Sequence, residues 1–223
     1  MEKFAIYDMD KTITRAPTWT RFLVHYAARH APHRLALLPV AGVIAAGHPL
    51  RLIDRARLKQ VTHRLMIGRR TAPQRMARVA AGFARRLDRS GLFADARAQI
   101  AADRAEGYRI IIATASPRFY AEAIAALVGA DDVIATEAGH DAEGRVLARL
   151  GGANCYGPAK HDRLVAWLAG QGVARAAAHI RFYSDHISDA PALGWADEGF
   201  VVNPDRQLAR LAEEKGWARR DWR

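Results

Sequence analysis

The sequence predicts an α/β fold: a parallel sheet with helices on both faces, carrying an all-helical insertion after its first strand. Three observations predict it. From Leu92 onward, short apolar runs of strand length alternate with stretches of helical spacing, the pattern of strands joined by crossover helices. The run Ile110-Ile111-Ile112-Ala113 is continuously apolar, as a strand covered on both faces should be. Between Trp19 and about Arg86 the apolar residues recur at helical spacing in Ala-rich text.

Phe4 to Tyr7 reads as the first strand, running directly into Asp8 and Asp10. In the insertion, Pro17, Pro32, Pro39, Pro49 and Pro73 divide the text into several short helices, because proline cannot donate inside a helix. Residues 94–105 then read as a helix, Tyr108 to Ala113 as a strand and Pro117 to Val128 as a helix. Proline is tolerated in a first turn. Asp132 to Thr136 reads as a strand. Ala138 to Leu150 reads as a hairpin turning at Asp141–Gly144. Residues 159–170 are helical, Ile180 to Ser184 a strand, 188–195 a short helix, Gly199 to Val202 a strand and 205–215 the last helix. The basic, aromatic segment from Lys215 to Arg223 reads as a frayed tail, ahead of contact with a membrane or packing back on the core. The implied domains are a core of residues 1–14 and 88–223 and an insertion of 15–87.

Chemistry-bearing residues cluster where predicted strands end, which is where open parallel sheets bind ligands. Asp8, Asp10 and Thr12 follow the first strand. Thr114, Ala115 and Ser116 close the second, Lys160 opens the helix after Gly157-Pro158, and Asp185 and Asp189 follow Ser184. Two carboxylates this close repel unless a cation or a shared proton holds them together. Individually each has a bland alternative: a solvated turn, a helix cap, a surface lysine. Their common placement at one sheet edge is harder to reach by chance.

With Asp8-Met9-Asp10-Lys11-Thr12, Thr114, Lys160 and the Asp185–Asp189 pair in that order, the chain resembles the haloacid dehalogenase superfamily of phosphohydrolases. The resemblance implies a Rossmann-like core, bound Mg2+ and a phosphatase reaction. It makes Asp8 the nucleophile and Asp10 the general acid/base. Asp8, Asp185 and the backbone carbonyl of Asp10 would hold the metal, with Asp189 behind them. Thr12, Thr114, Ala115, Ser116 and Lys160 would serve the phosphate. The helical insertion looks like the cap of the subfamily that includes phosphoserine phosphatases.

The insertion's composition bears on substrate. Residues 15–87 hold fifteen Lys or Arg and one acid, Asp54, whereas the rest of the chain is slightly acidic within a net charge of +11. So basic a region attracts anions. Arg51, Arg55, Arg57 and Lys59 are candidates for substrate contact. Phosphoserine phosphatases of this subfamily place a glutamate just after the first motif to hold the substrate ammonium, whereas Thr14 to Arg21 contains no acid. A phospholipid head group or a small non-amino phosphomonoester is therefore expected ahead of phosphoserine. Leu35 to Ala46 reads either as a buried helix or as an interfacial segment beside anionic lipid. The apolar, basic cap also looks similar to that of bacterial phosphatidylglycerophosphate phosphatases. A phosphotransferase would share every catalytic residue. A nucleic-acid or membrane-binding module is the non-enzymatic alternative, and nucleic acid is disfavoured because no stacking motif accompanies the arginines.

The opening residues carry no signal-peptide core, and Cys155 is the single cysteine. Both features predict a cytoplasmic location, with peripheral contact at the inner face of the membrane as a further expectation.

Overall fold

Phe4 to Tyr7 are all buried, and their side chains divide between the two faces of one sheet: Ala5 and Tyr7 enter one apolar cluster, Phe4 and Ile6 the other. A strand with both faces covered is the centre of the molecule. The computed structural model describes all 223 residues. In chain order its elements are β1 (Glu2–Tyr7), α1 (Trp19–His30), α2 (Leu38–Ala46), α3 (Arg55–Met66), β2 (Arg70–Thr71), α4 (Pro73–Ser90), α5 (Ala94–Ala105), β3 (Arg109–Pro117) and α6 (Arg118–Leu127). There follow β4 (Asp132–Thr136), β5 (Ala138–His140), β6 (Val146–Leu150), α7 (Pro158–Gly170), β7 (Ala178–Ser184), α8 (Ala190–Trp195), β8 (Glu198–Val202), α9 (Arg206–Lys215) and β9 (Ala218–Arg220).

Six strands form the main sheet in the order β4-β3-β1-β7-β8-β9, with every pairing parallel. β1 lies between β3 and β7, so the three polar strand ends after Tyr7, Ala113 and Tyr183 fall side by side. Residues of α4, α5 and α6 cover one face and those of α7, α8 and α9 the other. The predicted hairpin is present as β5 and β6. The insertion adds the two-residue β2 to it, antiparallel to β6. The insertion is therefore helical apart from that strand.

The insertion has no core of its own. Phe22, Tyr26, Met76, Val79 and Phe83 share one apolar cluster with Tyr120, Ile124 and Ile112 of the sheet layer. The expected boundary at residue 87 falls inside α4, whose apolar stripe packs along α6. The apolar run from Leu35 is not a buried helix: no residue of α2 is buried, and Val40 and Val43 are 48% and 76% exposed. A helix apolar on every side carries no periodicity to reveal which face is covered.

Of the readings of the C-terminal segment, the structure shows packing back on the core in place of the frayed tail. β9 pairs with β8, and Trp222 is buried beside the Tyr183 ring, its N–H donating to Asn203 Oδ1 at 2.9 Å. Three residues are too few to show strand periodicity, and the buried tryptophan adds a large apolar surface to the docking. Trp222→Ala is expected to cost about 3 kcal/mol, read as a lower urea midpoint at unchanged slope. An unchanged midpoint would restore the frayed tail.

Candidate active site

The turn after β1 brings two carboxylates onto one rim. Lys11 takes a left-handed backbone (φ 62°), and the Ile13 and Thr14 N–H groups both donate back to Met9 O at 3.0 and 2.9 Å. Thr12 is buried beneath this turn and reaches Asp185 Oδ1 at 3.4 Å. Opposite, Gly157 at φ 59° and ψ −132° turns the chain into α7. A side chain would strain that backbone, and the turn delivers Lys160 into the same space.

Lys160 is the centre of the site. Its ammonium is buried and donates to Asp8 Oδ1 at 2.8 Å and to Asp189 Oδ2 at 2.6 Å. The Ser184 hydroxyl donates to the same Asp189 oxygen at 2.7 Å, while Asp189 Oδ1 is buried without a partner. Burial alone would lower the lysine, but the facing Asp189 and Asp8 outweigh it and hold it above its ordinary value. Asp8 is pushed up to about 8. Burial is the largest cause, Lys160 opposes it, and the charges of Asp189 and Asp185 add to it. Asp185 rises to about 6, again chiefly through burial. These directions have one meaning: three carboxylates face one buried ammonium, so the cluster keeps a proton at neutral pH or takes another cation.

Asp10 has separate partners. Its Oδ1 accepts from the N–H and the hydroxyl of Thr18, both at 2.7 Å, and its Oδ2 accepts from Ser116 Oγ at 2.9 Å. Tyr120 in turn donates to Ser116 Oγ at 2.7 Å. The Ser116 hydroxyl, expected on phosphate, is therefore engaged by Asp10. Thr114 is buried, and its hydroxyl accepts from the Ser116 N–H at 3.1 Å, holding the loop that leads into α6. From the insertion, Lys59 donates to Ala115 O at 2.5 Å and to Asn154 Oδ1 at 2.6 Å. Burial lowers this lysine to about 8, with Arg55 and Lys160 contributing and Asp10 opposing. Arg55 lies over the Tyr156 ring at 4.2 Å, and Tyr156 packs beside His186.

The structure thus brings together Asp8, Asp10, Thr12, Thr114, Ala115, Ser116, Lys160, Asp185 and Asp189, with Lys59 reaching them from above. Arg55 reaches the rim. Arg51 and Arg57 are not brought to the cluster: both are exposed, Arg51 on the turn before α3 and Arg57 in its first turn. Sequence reasoning missed Thr18, Tyr120 and Asn154, and placed Ser184 at the polar strand end without giving it a role. Thr18 lies in the stretch searched only for an acid, and Tyr120 reads as an ordinary core residue of an amphipathic helix. Cys155 is buried and its thiol pushed up by that burial, which leaves it unreactive.

No three His, Cys, Asp or Glu side chains are gathered closely enough to cage a metal by themselves. The donor set implied for Mg2+ needs only two carboxylates and a backbone carbonyl, and magnesium keeps several waters. The surplus negative charge and the partnerless Asp189 oxygen fit a hard cation beside Asp8 and Asp185.

The comparisons agree with this geometry. A haloacid dehalogenase-like hydrolase family model matches residues 5–194. A histidinol-phosphatase of Neisseria meningitidis serogroup C is 30% identical over 112 residues, covering 50% of each chain. Phosphoserine phosphatase SerB1 of Mycobacterium tuberculosis is 33% identical over 119 residues, 52% of this chain and 37% of that one. The chain thus spans half or less of these curated relatives' length. A Bordetella pertussis Tohama I protein of unknown function has the same fold, at TM-score 0.88, 22% identity and 99% coverage of both chains. With the motif order, the sheet and the family match in agreement, the chain belongs to the haloacid dehalogenase-like hydrolases.

Proposed function

We propose that the chain is a magnesium-dependent phosphomonoester hydrolase acting through an aspartyl-phosphate. One observation carries the reading: the buried Asp8–Lys160–Asp189 bridge at the sheet edge, with Asp10 and Asp185 around it. Asp8 Oδ1 is engaged by Lys160, which leaves Oδ2 to attack phosphorus in line. The ester P–O bond breaks, and Asp10 gives its proton to the departing alkoxide. Water then attacks the phosphorus, its proton goes to Asp10, and the bond to Asp8 breaks with release of phosphate. Lys160 offsets charge on the nucleophile and on the transferring group. The Thr114 hydroxyl and backbone N–H groups ahead of α6 take phosphate oxygens, and Thr12 holds the loop. Asp8, Asp185 and the Asp10 carbonyl are the assigned magnesium ligands. Bound magnesium would neutralise part of the phosphate dianion.

In the same reading, residues 15–87 act as a cap over a core of 1–14 and 88–223. The cap supplies Lys59 and Arg55 at the rim and no acid near Asp10. An anionic, non-amino phosphomonoester suits such a rim better than phosphoserine or histidinol phosphate, whose ammonium groups would find no added counter-charge. A lipid substrate is a second reading, favoured by the exposed Val40, Val43, Leu50 and Leu52 beside Arg51. It would put the protein at the inner face of a membrane, touching anionic lipid peripherally. No helix is long and apolar enough to cross one.

Phosphate release from glycerol phosphates with and without acyl chains, phosphoserine and histidinol phosphate, in magnesium and in EDTA, tests these readings. Release in magnesium that EDTA abolishes is expected. Inertness toward the whole panel overturns the hydrolase, and a preference for an amino substrate overturns the argument from the rim. Equal rates with and without acyl chains, and no binding to anionic vesicles, remove the lipid reading.

A further inference from the structure

We propose that Thr18, Ser116 and Tyr120 form a hydroxyl ring that positions the Asp10 carboxyl for proton transfer and ties that position to helix α1. The proposal rests on the acid/base role of Asp10 given above. Asp10 Oδ1 meets Thr18 Oγ1 at 2.7 Å, Thr18 Oγ1 meets Tyr120 Oη at 3.1 Å, Tyr120 Oη meets Ser116 Oγ at 2.7 Å, and Ser116 Oγ meets Asp10 Oδ2 at 2.9 Å. The ring closes on itself, and its three hydroxyl residues are buried. The Thr18 N–H adds a fourth hold on Oδ1 at 2.7 Å.

A hydroxyl can donate one hydrogen bond and accept others, and its proton rotates freely between those roles. While Asp10 is a carboxylate, Thr18 and Ser116 both donate to it and Tyr120 donates to Ser116. When Asp10 carries a proton on Oδ2, that proton can point to Ser116, which donates to Tyr120, which donates to Thr18, which still donates to Oδ1. No proton changes owner in this reversal, and no buried polar atom loses its partner. The carboxyl can therefore hold one orientation before and after it exchanges a proton with substrate or water. A fixed donor such as an amide can serve Oδ1, as the Thr18 N–H does, but could not serve Oδ2 in both states.

The ring is also anchored mechanically. Tyr120 stacks on Phe22 at 4.6 Å between ring centroids, and its ring runs nearly parallel to that of Trp19 at 6.2 Å. Both partners belong to α1, and Thr18 immediately precedes it. A displacement of α1 would pull Thr18 from Asp10 and unseat Tyr120 together. The three side chains are positioning groups, since their hydroxyls act on the reaction through the Asp10 carboxyl.

The test measures kcat and KM for Thr18→Val, Ser116→Ala and Tyr120→Phe with an alkyl phosphate, and single-turnover rates with alkyl and p-nitrophenyl phosphate. Each variant is expected to lose about tenfold in kcat on the alkyl ester, the worth of one charge-assisted hydrogen bond, with KM nearly unchanged. Nitrophenolate leaves without a proton, so the single-turnover loss with that ester should be much smaller. Thr18→Ser should restore the rate. In an Asp10→Asn background none of the three substitutions should cost anything further. Equal losses on both esters, or the same loss with Asp10→Asn, would mean the residues merely support the fold and would overturn the proposal. Circular dichroism and melting temperatures identify any variant that misfolds, and Tyr120→Phe, which removes a single oxygen, is then the deciding case. An active parent matched by Ser116→Ala removes the ring alone, whereas a parent inert toward every ester removes the hydrolase and the ring together.

Discussion

Asp8→Asn is expected to give a folded protein whose phosphate release falls by at least about 1,000-fold. The substitution keeps the side chain's shape and an oxygen for the Lys160 ammonium, which lies 2.8 Å from Asp8 Oδ1. What it removes is the charged oxygen to which the proposed mechanism assigns the attack on phosphorus. Stability should move the other way. Burial, together with Asp189 and Asp185, pushes Asp8 up to about 8, against an ordinary value near 3.8. Between about pH 4 and 8 the folded protein then keeps a proton that the unfolded chain has released. In metal-free buffer the parent should therefore lose stability as pH rises through that window. Asparagine does not titrate, so the slope should flatten, and the denaturation midpoint at pH 8 should match or exceed the parent's. Urea midpoints in EDTA at three pH values, beside phosphate-release rates in magnesium, measure both effects. Near-parental turnover would exclude Asp8 as nucleophile. A large loss of stability at pH 8 would exclude the account of the carboxylate cluster as overcharged.

The contrast between Asp8 and Asp10 shows how far the sequence could be read. Both were visible in it because an apolar strand ran into them, and the same signal marked Thr114 and Asp185. Parallel pairing of β1 with β3 and β7 then put these strand ends side by side without further information. Lys160 was legible from its place after Gly157-Pro158. The partners of Asp10 were not. Thr18 and Tyr120 lie 102 residues apart and meet through a single 3.1 Å contact, and nothing in a helical pattern distinguishes a tyrosine that bonds a catalytic loop from one that fills a core. Arg51, Arg55, Arg57 and Lys59 illustrate the opposite difficulty. All four carry the same charge in one short run, yet only Lys59 is hydrogen-bonded into the site, to Ala115 O and Asn154 Oδ1, with Asp10 close enough to act on it. Arg55, four residues before Lys59, shares its face of α3 and reaches only the rim; Arg57, two residues away, is turned to another side, and Arg51 lies on the turn before the helix. Composition identified a basic insertion, and only helix phase decides which of its cations serves the site.

Lys160→Met should be costly in both stability and rate, and magnesium separates the two. Methionine has similar length and no charge, so packing is largely kept while Asp8 and Asp189 lose the ammonium between them. Breaking the buried pair with Asp189 this way costs about 3–5 kcal/mol, because the carboxylate left behind cannot reach water. The facing carboxylates hold Lys160 above its ordinary value. Its stabilising contribution is therefore complete throughout the neutral range and would fade only in strong alkali. In EDTA at pH 7 the variant's urea midpoint should fall well below the parent's, and it should recover toward acid pH as the carboxyls take protons. Magnesium near Asp8 and Asp185 should return part of the stability by neutralising the same cluster. It should not return turnover: a metal held by Asp8 and Asp185 leaves Asp189 stranded and puts no donor where the ammonium faced Asp8 Oδ1, so the rate should stay at least about 1,000-fold down. Stability and rate recovering together in magnesium would mean that any cation serves at this position. A parental midpoint in EDTA would mean that the lysine balances no buried charge.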